Sequence, residues 1–82
     1  MQVSSTENFR ANLRSIMALR GISQREFASR IGMSYPYVNK VLQGIYSPPL
    51  KTCEHMAQAR GLTVGEMILD PRAFERNRRA IA

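Results

Sequence analysis

A short stretch of the chain concentrates hydrogen-bonding side chains that are suited to recognition rather than to catalysis. They occupy the exposed positions of one predicted helix, at Tyr35, Tyr37, Asn39, Lys40 and Gln43. Only Lys40 is charged, whereas an ordinary solvated helix more often carries Glu–Lys pairs. Hydroxyl, amide and ammonium groups pair with the edges of DNA bases and with phosphate oxygens. The stretch therefore favours a nucleic-acid-facing surface, and a plain solvated helix face is the alternative.

Catalytic and metal-binding patterns are not found in the sequence. It has no paired carboxylates, no Ser–His–Asp set and no glycine-rich phosphate loop, so we expect no enzyme activity. His55 has no ligand partner at useful spacing and is expected at the surface or its rim. Cys53 falls on an apolar stripe, which is typical of a small core residue. We accordingly expect no metal, no cofactor and no small-molecule ligand.

The balance of charge indicates a polyanionic partner. Of 82 residues, 12 are Lys or Arg and 6 are Asp or Glu, which gives a formal net charge of +6. A small basic domain attracts nucleic acid, although it also attracts anionic membranes and acidic proteins. The single cysteine permits no internal disulfide and suits a reducing cytoplasm. No apolar run is long enough to span a membrane, and the polar N-terminus is unlike a signal peptide.

Helix boundaries can be read directly from the sequence. Capping boxes, in which a Ser or Thr precedes a Glu by three positions, begin at Ser4, Ser23 and Thr63. Apolar residues follow each box at helical spacing. Further helix starts are predicted at Ser34 and after Pro49, so we expect five helices and no sheet. Glycines that end helices are Gly21, Gly32, Gly44 and Gly61.

The second and third predicted helices are joined by a very short connection. Only Gly32 and Met33 separate the second helix from the Ser34 cap. Pro36 fits the first turn of the third helix, where a missing N–H costs little. Because so short a connection forces a sharp bend, the polar stretch lies on the second helix of a predicted helix-turn-helix.

The spacing within and beyond this motif follows one known family. The matching positions are Ser23, Gln24, Glu26, Phe27, Ala28, Gly32, Ser34, Val38, Gly44 and Pro48, then Leu50, Ala57, Gly61, Leu62, Thr63, Glu66 and Met67. The run resembles the phage-repressor and Cro class of helix-turn-helix proteins, also called Xre-like, over roughly residues 9–69. The resemblance implies an all-α, five-helix, lambda-repressor-like DNA-binding domain over residues 1–71. Residues 72–82 are then a basic C-terminal tail, either a loose arm or a final frayed helix.

The resemblance also implies roles by position. Gln24 matches a glutamine that anchors to a phosphate and braces the recognition helix, and Gln43 matches a phosphate-contacting amide. Arg25 lies beside Gln24 at a helix N-terminus and is a further phosphate candidate. Lys40 reads either a guanine or a phosphate. The base-facing candidates are Tyr35, Pro36, Asn39 and Lys40. The phosphate-facing candidates are Gln24, Arg25, Ser34, Tyr37, Gln43, Tyr46 and Ser47.

Two departures from the family pattern bear on these roles. Many members place a buried Arg–Glu ion pair between the first and third helices, whereas this chain has Met17 and Leu42. An apolar pair can replace a buried ion pair without loss of stability, so we expect a repacked core. Common members place Gln at the first recognition positions, where it can read adenine. Tyr35 and Pro36 cannot make that bidentate contact, so the operator sequence does not carry over from relatives.

The predicted fifth helix supplies the expected dimer contact. Val64, Met67 and Ile68 form an apolar patch, and this region commonly joins two copies in the resembled family. A two-fold dimer fits a palindromic operator with half-sites about one helical turn apart. We therefore expect a cytoplasmic, prokaryotic or phage-encoded homodimer that binds double-stranded DNA, with a Cro-like or restriction-controller-like repressor as the leading type.

Three alternatives stay open at this point. One is an antitoxin-type module whose helix-turn-helix mostly serves protein interaction, against which the basic charge argues mildly. Another is a nucleic-acid-binding protein without sequence preference, against which the uncharged amides and tyrosines argue. The third is an N-terminal fragment of a longer repressor, with the arginine-rich tail as the start of a linker.

Overall fold

The computed structural model describes residues 5–81, with side chains described through residue 78. Over these residues the chain forms helices and no strand, which confirms the predicted all-α class. The helices are α1 (Ser5–Arg20), α2 (Gln24–Ile31), α3 (Tyr35–Gln43), α4 (Leu50–Gln58), α5 (Val64–Met67) and α6 (Pro71–Ile81). The last is one more than the five that the sequence predicts.

The starts of α2 and α3 are fixed by serine caps at the predicted positions. The Ser23 hydroxyl accepts the Glu26 N–H at 3.1 Å. The Ser34 hydroxyl accepts the Tyr37 N–H at 3.3 Å. The Ser23 box is only half formed, because the Glu26 carboxylate pairs with Arg30 at 3.2 Å. Each hydroxyl satisfies a backbone donor that has no partner inside its helix.

A reciprocal capping box is found at the start of α5. The Thr63 hydroxyl accepts the Glu66 N–H at 3.2 Å, and the Glu66 carboxylate accepts the Thr63 N–H at 3.0 Å. This is the arrangement that the sequence predicts. The box predicted to begin at Ser4 lies outside the described residues.

One hydrophobic core joins the helices. The apolar face of α1 packs against α3, α5 and α6. Burying each of the larger side chains contributes about 1.5–3 kcal/mol. Met17 and Leu42 both lie in this core, as the sequence predicts. The buried apolar residues are Phe9, Leu13, Ile16, Met17, Phe27, Ala28, Ile31, Val38, Val41, Leu42, Met56, Ala57, Met67 and Phe74.

Two buried asparagines on α1 hold the end of α5. Asn12 Nδ2 donates to the Met67 carbonyl at 2.9 Å and to the Leu69 carbonyl at 2.7 Å. Asn8 Nδ2 donates to the Ile68 carbonyl at 3.1 Å. A helix of 4 residues is too short to be stable alone. These hydrogen bonds therefore fix which side of α5 faces the core.

The basic C-terminal segment is a packed helix. Of the two forms predicted for residues 72–82, the loose arm and the frayed helix, the structure has residues 72–81 in a helix. Phe74 in this helix is 3 % exposed and belongs to the core. The core consequently continues past residue 71, where the sequence alone ends the domain.

Asp70 explains why this helix begins where it does. Its Oδ1 accepts the Arg72 N–H at 2.9 Å and the Ala73 N–H at 3.2 Å. The Asp70–Pro71 pair reads from the sequence as a helix stop. The same pair is also a helix start, because Asp caps the first turn and Pro favours its first position.

Candidate nucleic-acid interface

The bend between α2 and α3 depends on backbone conformation and not on crowding. Gly32 has a φ of 70°, in the left-handed region that favours glycine. An added Cβ at Gly32 would meet nothing within 4 Å. The Met33 N–H donates to the Ala28 carbonyl at 3.0 Å and closes the end of α2. Ser34 then starts α3, so the predicted helix-turn-helix is present.

α3 has one buried face and one outward face. Its buried side chains are Val38, Val41 and Leu42, which are 0 %, 2 % and 1 % exposed. On the other side Pro36, Lys40 and Gln43 are exposed and Asn39 is half-buried. The half-buried rings of Tyr35 and Tyr37 flank this side and pack against the core. The predicted base-facing residues thus share the outward part of one helix. A helix presented in this way has the size and shape to enter the major groove of DNA.

A chain of amide side chains connects the two helices of the motif. Asn39 Nδ2 donates to Gln24 Oε1 at 2.8 Å. Gln43 Nε2 in turn donates to Asn39 Oδ1 at 2.6 Å. Gln24 therefore braces α3 from the first turn of α2, and its own Nε2 donors stay available for an external acceptor. The phosphate contact implied for Gln24 stays a prediction.

Arg25 and Tyr35 stack at the N-terminal end of α3. The guanidinium carbon of Arg25 lies 4.4 Å from the centroid of the Tyr35 ring. This is a cation–π contact, which leaves the guanidinium N–H groups free to bind a phosphate or a base. Arg25 is exposed, so the ring holds an otherwise mobile side chain at the surface.

A second cation–aromatic group lies at the other end of α3. Lys40 Nζ is 5.4 Å from the centroid of the Tyr46 ring. The Tyr37 and Tyr46 ring centroids are 5.8 Å apart. The loop residue Tyr46 is therefore brought beside two α3 residues, and its predicted phosphate contact stays a prediction. Ser47, in the same loop, is exposed.

Two arginines of α1 lie at the C-terminal end of α3, and the sequence singles out neither for this role. Arg14 Nε donates to the Leu42 carbonyl at 3.0 Å. The Arg10 guanidinium lies so close to Gly44 that an added Cβ there would be 3.0 Å from its carbon. Cationic groups are favourable beside the negative end of a helix dipole. Their spacing of one helical turn on α1 is the signal that could have identified them.

The residues predicted for the dimer contact differ in exposure. Val64 is half-buried and Ile68 is 36 % exposed. Met67 is 0 % exposed and packs inside the core of its own chain. The prediction that Met67 contacts a partner is therefore corrected, because the asparagines of α1 orient α5 with Met67 inward. Val64 and Ile68 instead line an apolar groove of about 250 Å³ together with Leu50.

Other singled-out residues have structural partners. The His55 Nε2 donates to the Ile31 carbonyl at 2.9 Å, which ties α4 to α2, and the ring is at the surface as expected. Cys53 is half-buried, and burial raises the pKa of its thiol above the usual value.

Within residues 5–81, no three His, Cys, Asp or Glu side chains are grouped closely enough to hold a metal ion. The described helices include none with the length and apolar character of a membrane span.

Comparisons with known proteins agree with this geometry. A helix-turn-helix family model matches residues 13–67, which is more than half of the chain. The crystal structure of the hypothetical transcription factor NHTF from Neisseria aligns with a TM-score of 0.79 and 26% sequence identity, over 89% of this chain and 84% of that chain. None of the curated proteins matches. The sequence resemblance and the lambda-repressor-like fold are thereby confirmed. The chain belongs to the helix-turn-helix family of Cro/C1-type DNA-binding transcription regulators.

Proposed function

We propose that this regulator is a sequence-specific repressor that lays α3 in the major groove of its operator. The outward face of α3 carries the proposal, since its polar side chains are held in position by α2 and by the loop after α3. Side chains ordered before binding lose less conformational freedom on association. Occupation of promoter DNA and exclusion of polymerase are then sufficient for repression.

Base reading is assigned to Tyr35, Pro36, Asn39 and Lys40 of α3. Lys40 donates to guanine O6 or N7. Pro36 and the Tyr35 ring offer apolar contact, which suits thymine methyl groups. Asn39 has one amide N–H left after its bonds to Gln24 and Gln43, and this donor reaches a base acceptor. The operator is therefore unlike those read by relatives with Gln at the first recognition positions.

Phosphate contacts are assigned to the margins of the same surface. Gln24 and Arg25 stand at the N-terminus of α2, where backbone N–H groups and the helix dipole favour an anion. The loop after α3 runs beside the groove and contributes the phenol of Tyr46. These contacts set the position of α3 and give the binding its salt dependence. The full set is Gln24, Arg25, Ser34, Tyr37, Gln43, Tyr46 and Ser47.

A two-fold dimer through α5 completes the proposal. Ile68 and Leu50 are 36 % and 65 % exposed at one apolar groove, which Val64 also lines. A second copy that covers this groove buries these side chains and removes them from water. Two recognition helices related by a two-fold axis then meet a palindrome with half-sites about one helical turn apart.

Selection of bound sequences from a random DNA pool tests the function. We expect enrichment of a palindrome and, by light scattering, a complex of two protomers per site. Enrichment of a single unrepeated half-site by one protomer would keep sequence reading and reject the dimer. No enrichment, with binding that weakens steeply as salt rises, would identify a nucleic-acid-binding protein without sequence preference and reject the repressor.

A further inference from the structure

A second groove lies between the end of α1, the loop after α4, and α6. Its volume is about 300 Å³, and it is partly open to solvent. Leu62 and the buried ring of Phe74 line it, and Leu19 at its edge is 60 % exposed. No lining residue is assigned to DNA or to the dimer, so neither of those contacts accounts for its shape and charge. We call it the arginine groove, and its lining includes Leu19, Arg20, Arg60, Leu62, Phe74 and Arg78.

The charge of the arginine groove is strongly one-sided. Arg20 from α1, Arg60 from the loop and Arg78 from α6 converge on it. Arg78 is paired with Glu75 at 2.6 Å, whereas no ion pair to Arg20 or Arg60 is found within the described residues. Burial, followed by the charges of Arg30 and Arg20, lowers the pKa of Arg60. Glu26 acts on Arg60 in the opposite direction, but its carboxylate is paired with Arg30, so the lining itself keeps three arginines and one glutamate.

The acidic residue that lines the arginine groove is committed elsewhere. One Glu66 carboxylate oxygen accepts the Thr63 N–H at 3.0 Å, and the other accepts the Asn77 amide at 3.5 Å. Glu66 therefore serves the start of α5 and its contact with α6. An external anion is the group that would neutralise Arg20 and Arg60. Leu19 and Leu62 favour an anion that also carries apolar groups.

We propose that the arginine groove docks an acidic amphipathic segment of a partner protein. Leucine-like side chains of that segment pack against Leu19, Leu62 and Phe74, and its carboxylates pair with Arg20 and Arg60. Interfaces between proteins are enriched in arginine around an apolar centre, which matches this groove. Docking here leaves α3 uncovered, so the partner can bind while the regulator is on DNA.

A titration with designed peptides tests the docking surface. The probe is a synthetic helical peptide with Leu and Glu at amphipathic spacing, and amide shifts of the isotope-labelled protein report where it binds. One control peptide replaces every Leu with Ser, and another replaces every Glu with Lys. We expect saturable shifts at the arginine groove with the Leu–Glu peptide alone. Shifts centred on α3, or equal binding of the Ser peptide, would reduce the effect to general charge attraction and overturn the proposal.

Matched variants make the test specific to the groove. Leu19→Asp and Arg60→Gln each weaken binding of the Leu–Glu peptide by about tenfold. Their controls are Ile45→Asp and Arg76→Gln, which alter exposed residues of similar type outside the groove and leave peptide affinity unchanged. None of these side chains is buried, so circular dichroism should show folded protein for all of them. Unchanged peptide affinity in both groove variants would overturn the proposal.

Two further measurements distinguish a protein-docking surface from a DNA contact and from a small-ligand site. Operator affinity of Leu19→Asp and Arg60→Gln stays within about twofold of the parent chain, because neither residue is assigned to DNA. A larger loss would make the arginine groove part of the DNA surface and reject it as a separate site. Sodium octanoate is the small-molecule probe. If it displaces the peptide and saturates the groove at lower concentration, the site takes a small carboxylate and the protein-docking proposal is wrong.

Discussion

The side-chain amide of Asn39 donates to that of Gln24 at 2.8 Å, which joins the outward face of α3 to the first turn of α2. Gln43 donates to the same Asn39 at 2.6 Å. The geometry of the recognition surface thus depends on a hydrogen bond between two of its own residues. An asparagine bonded on both sides acts partly through the neighbours that it orients.

Asn39→Ala tests this dependence. The substitution leaves Gln24 and Gln43 without their shared partner, so we expect operator affinity to fall about tenfold. A double-mutant cycle with Gln24→Ala, measured by fluorescence anisotropy, should give a coupling energy of about 0.5–3 kcal/mol. Strictly additive losses would mean that the two residues contact DNA independently and that the brace has no part in binding.

Lys40→Ala distinguishes base reading from phosphate binding. If Lys40 donates to a guanine, specificity relaxes at one operator position at a cost of about 1–3 kcal/mol. The measurement compares affinities for operators substituted at every position, at two salt concentrations. Lys51→Ala, which removes an exposed lysine outside the interface, is the control for lost charge. An equal loss on all operator variants, with a shallower salt dependence, would reassign Lys40 to a phosphate.

Ile68→Asp tests the proposed dimer. A carboxylate at this exposed apolar position would be buried against the second copy, so we expect at least about tenfold weaker dimerisation in sedimentation equilibrium. Leu19→Asp places the same charge at another exposed leucine, away from this groove, and should dimerise as the parent chain does. An Ile68→Asp protein that stays equally dimeric would require a different interface.

Met67→Asp should behave differently from its neighbour. Met67 is fully buried in the core of its own chain, so an unpaired carboxylate there costs several kcal/mol of folding free energy. We expect a large loss of helical circular dichroism or of unfolding midpoint, whatever the protein concentration. Unchanged stability with lost dimerisation would return Met67 to the interface that the sequence predicts.

Local signals account for what the sequence predicts well. The Ser34 hydroxyl accepts the Tyr37 N–H, and the Thr63 hydroxyl accepts the Glu66 N–H. Each helix start therefore depends on residues within one helical turn. Gly32 likewise ends α2 through its own left-handed backbone conformation, with a φ of 70°. These features need no knowledge of the rest of the fold, and together they specify the helix-turn-helix and the outward position of its polar residues.

Contacts between distant residues account for what the sequence does not predict. Arg14 bonds the carbonyl of Leu42, 28 positions away, and the one-turn spacing of Arg10 and Arg14 marks a shared helix face without naming that target. Met67 and Ile68 are adjacent apolar residues, and the choice of which one turns inward depends on Asn12 of α1. Burial of Phe74 similarly depends on the position of α1, so a basic segment with one aromatic residue reads as a tail.

Phe74→Ala tests whether α6 is part of the folded domain. Removing a buried phenyl ring leaves a cavity and should lower the free energy of unfolding by about 3–5 kcal/mol. Urea denaturation followed by circular dichroism provides the measurement, because the domain unfolds as one cooperative unit if α6 is packed.

Arg76→Ala, at an exposed position of the same helix, is the control and should change the unfolding free energy by less than about 0.5 kcal/mol. Deletion of the chain after residue 71 should destabilise the protein at least as much as Phe74→Ala, since it removes the same ring and the helix that carries it. If both the deletion and Phe74→Ala are as stable as the parent chain, the segment is a dispensable tail, and the domain ends at residue 71 as the sequence alone predicts.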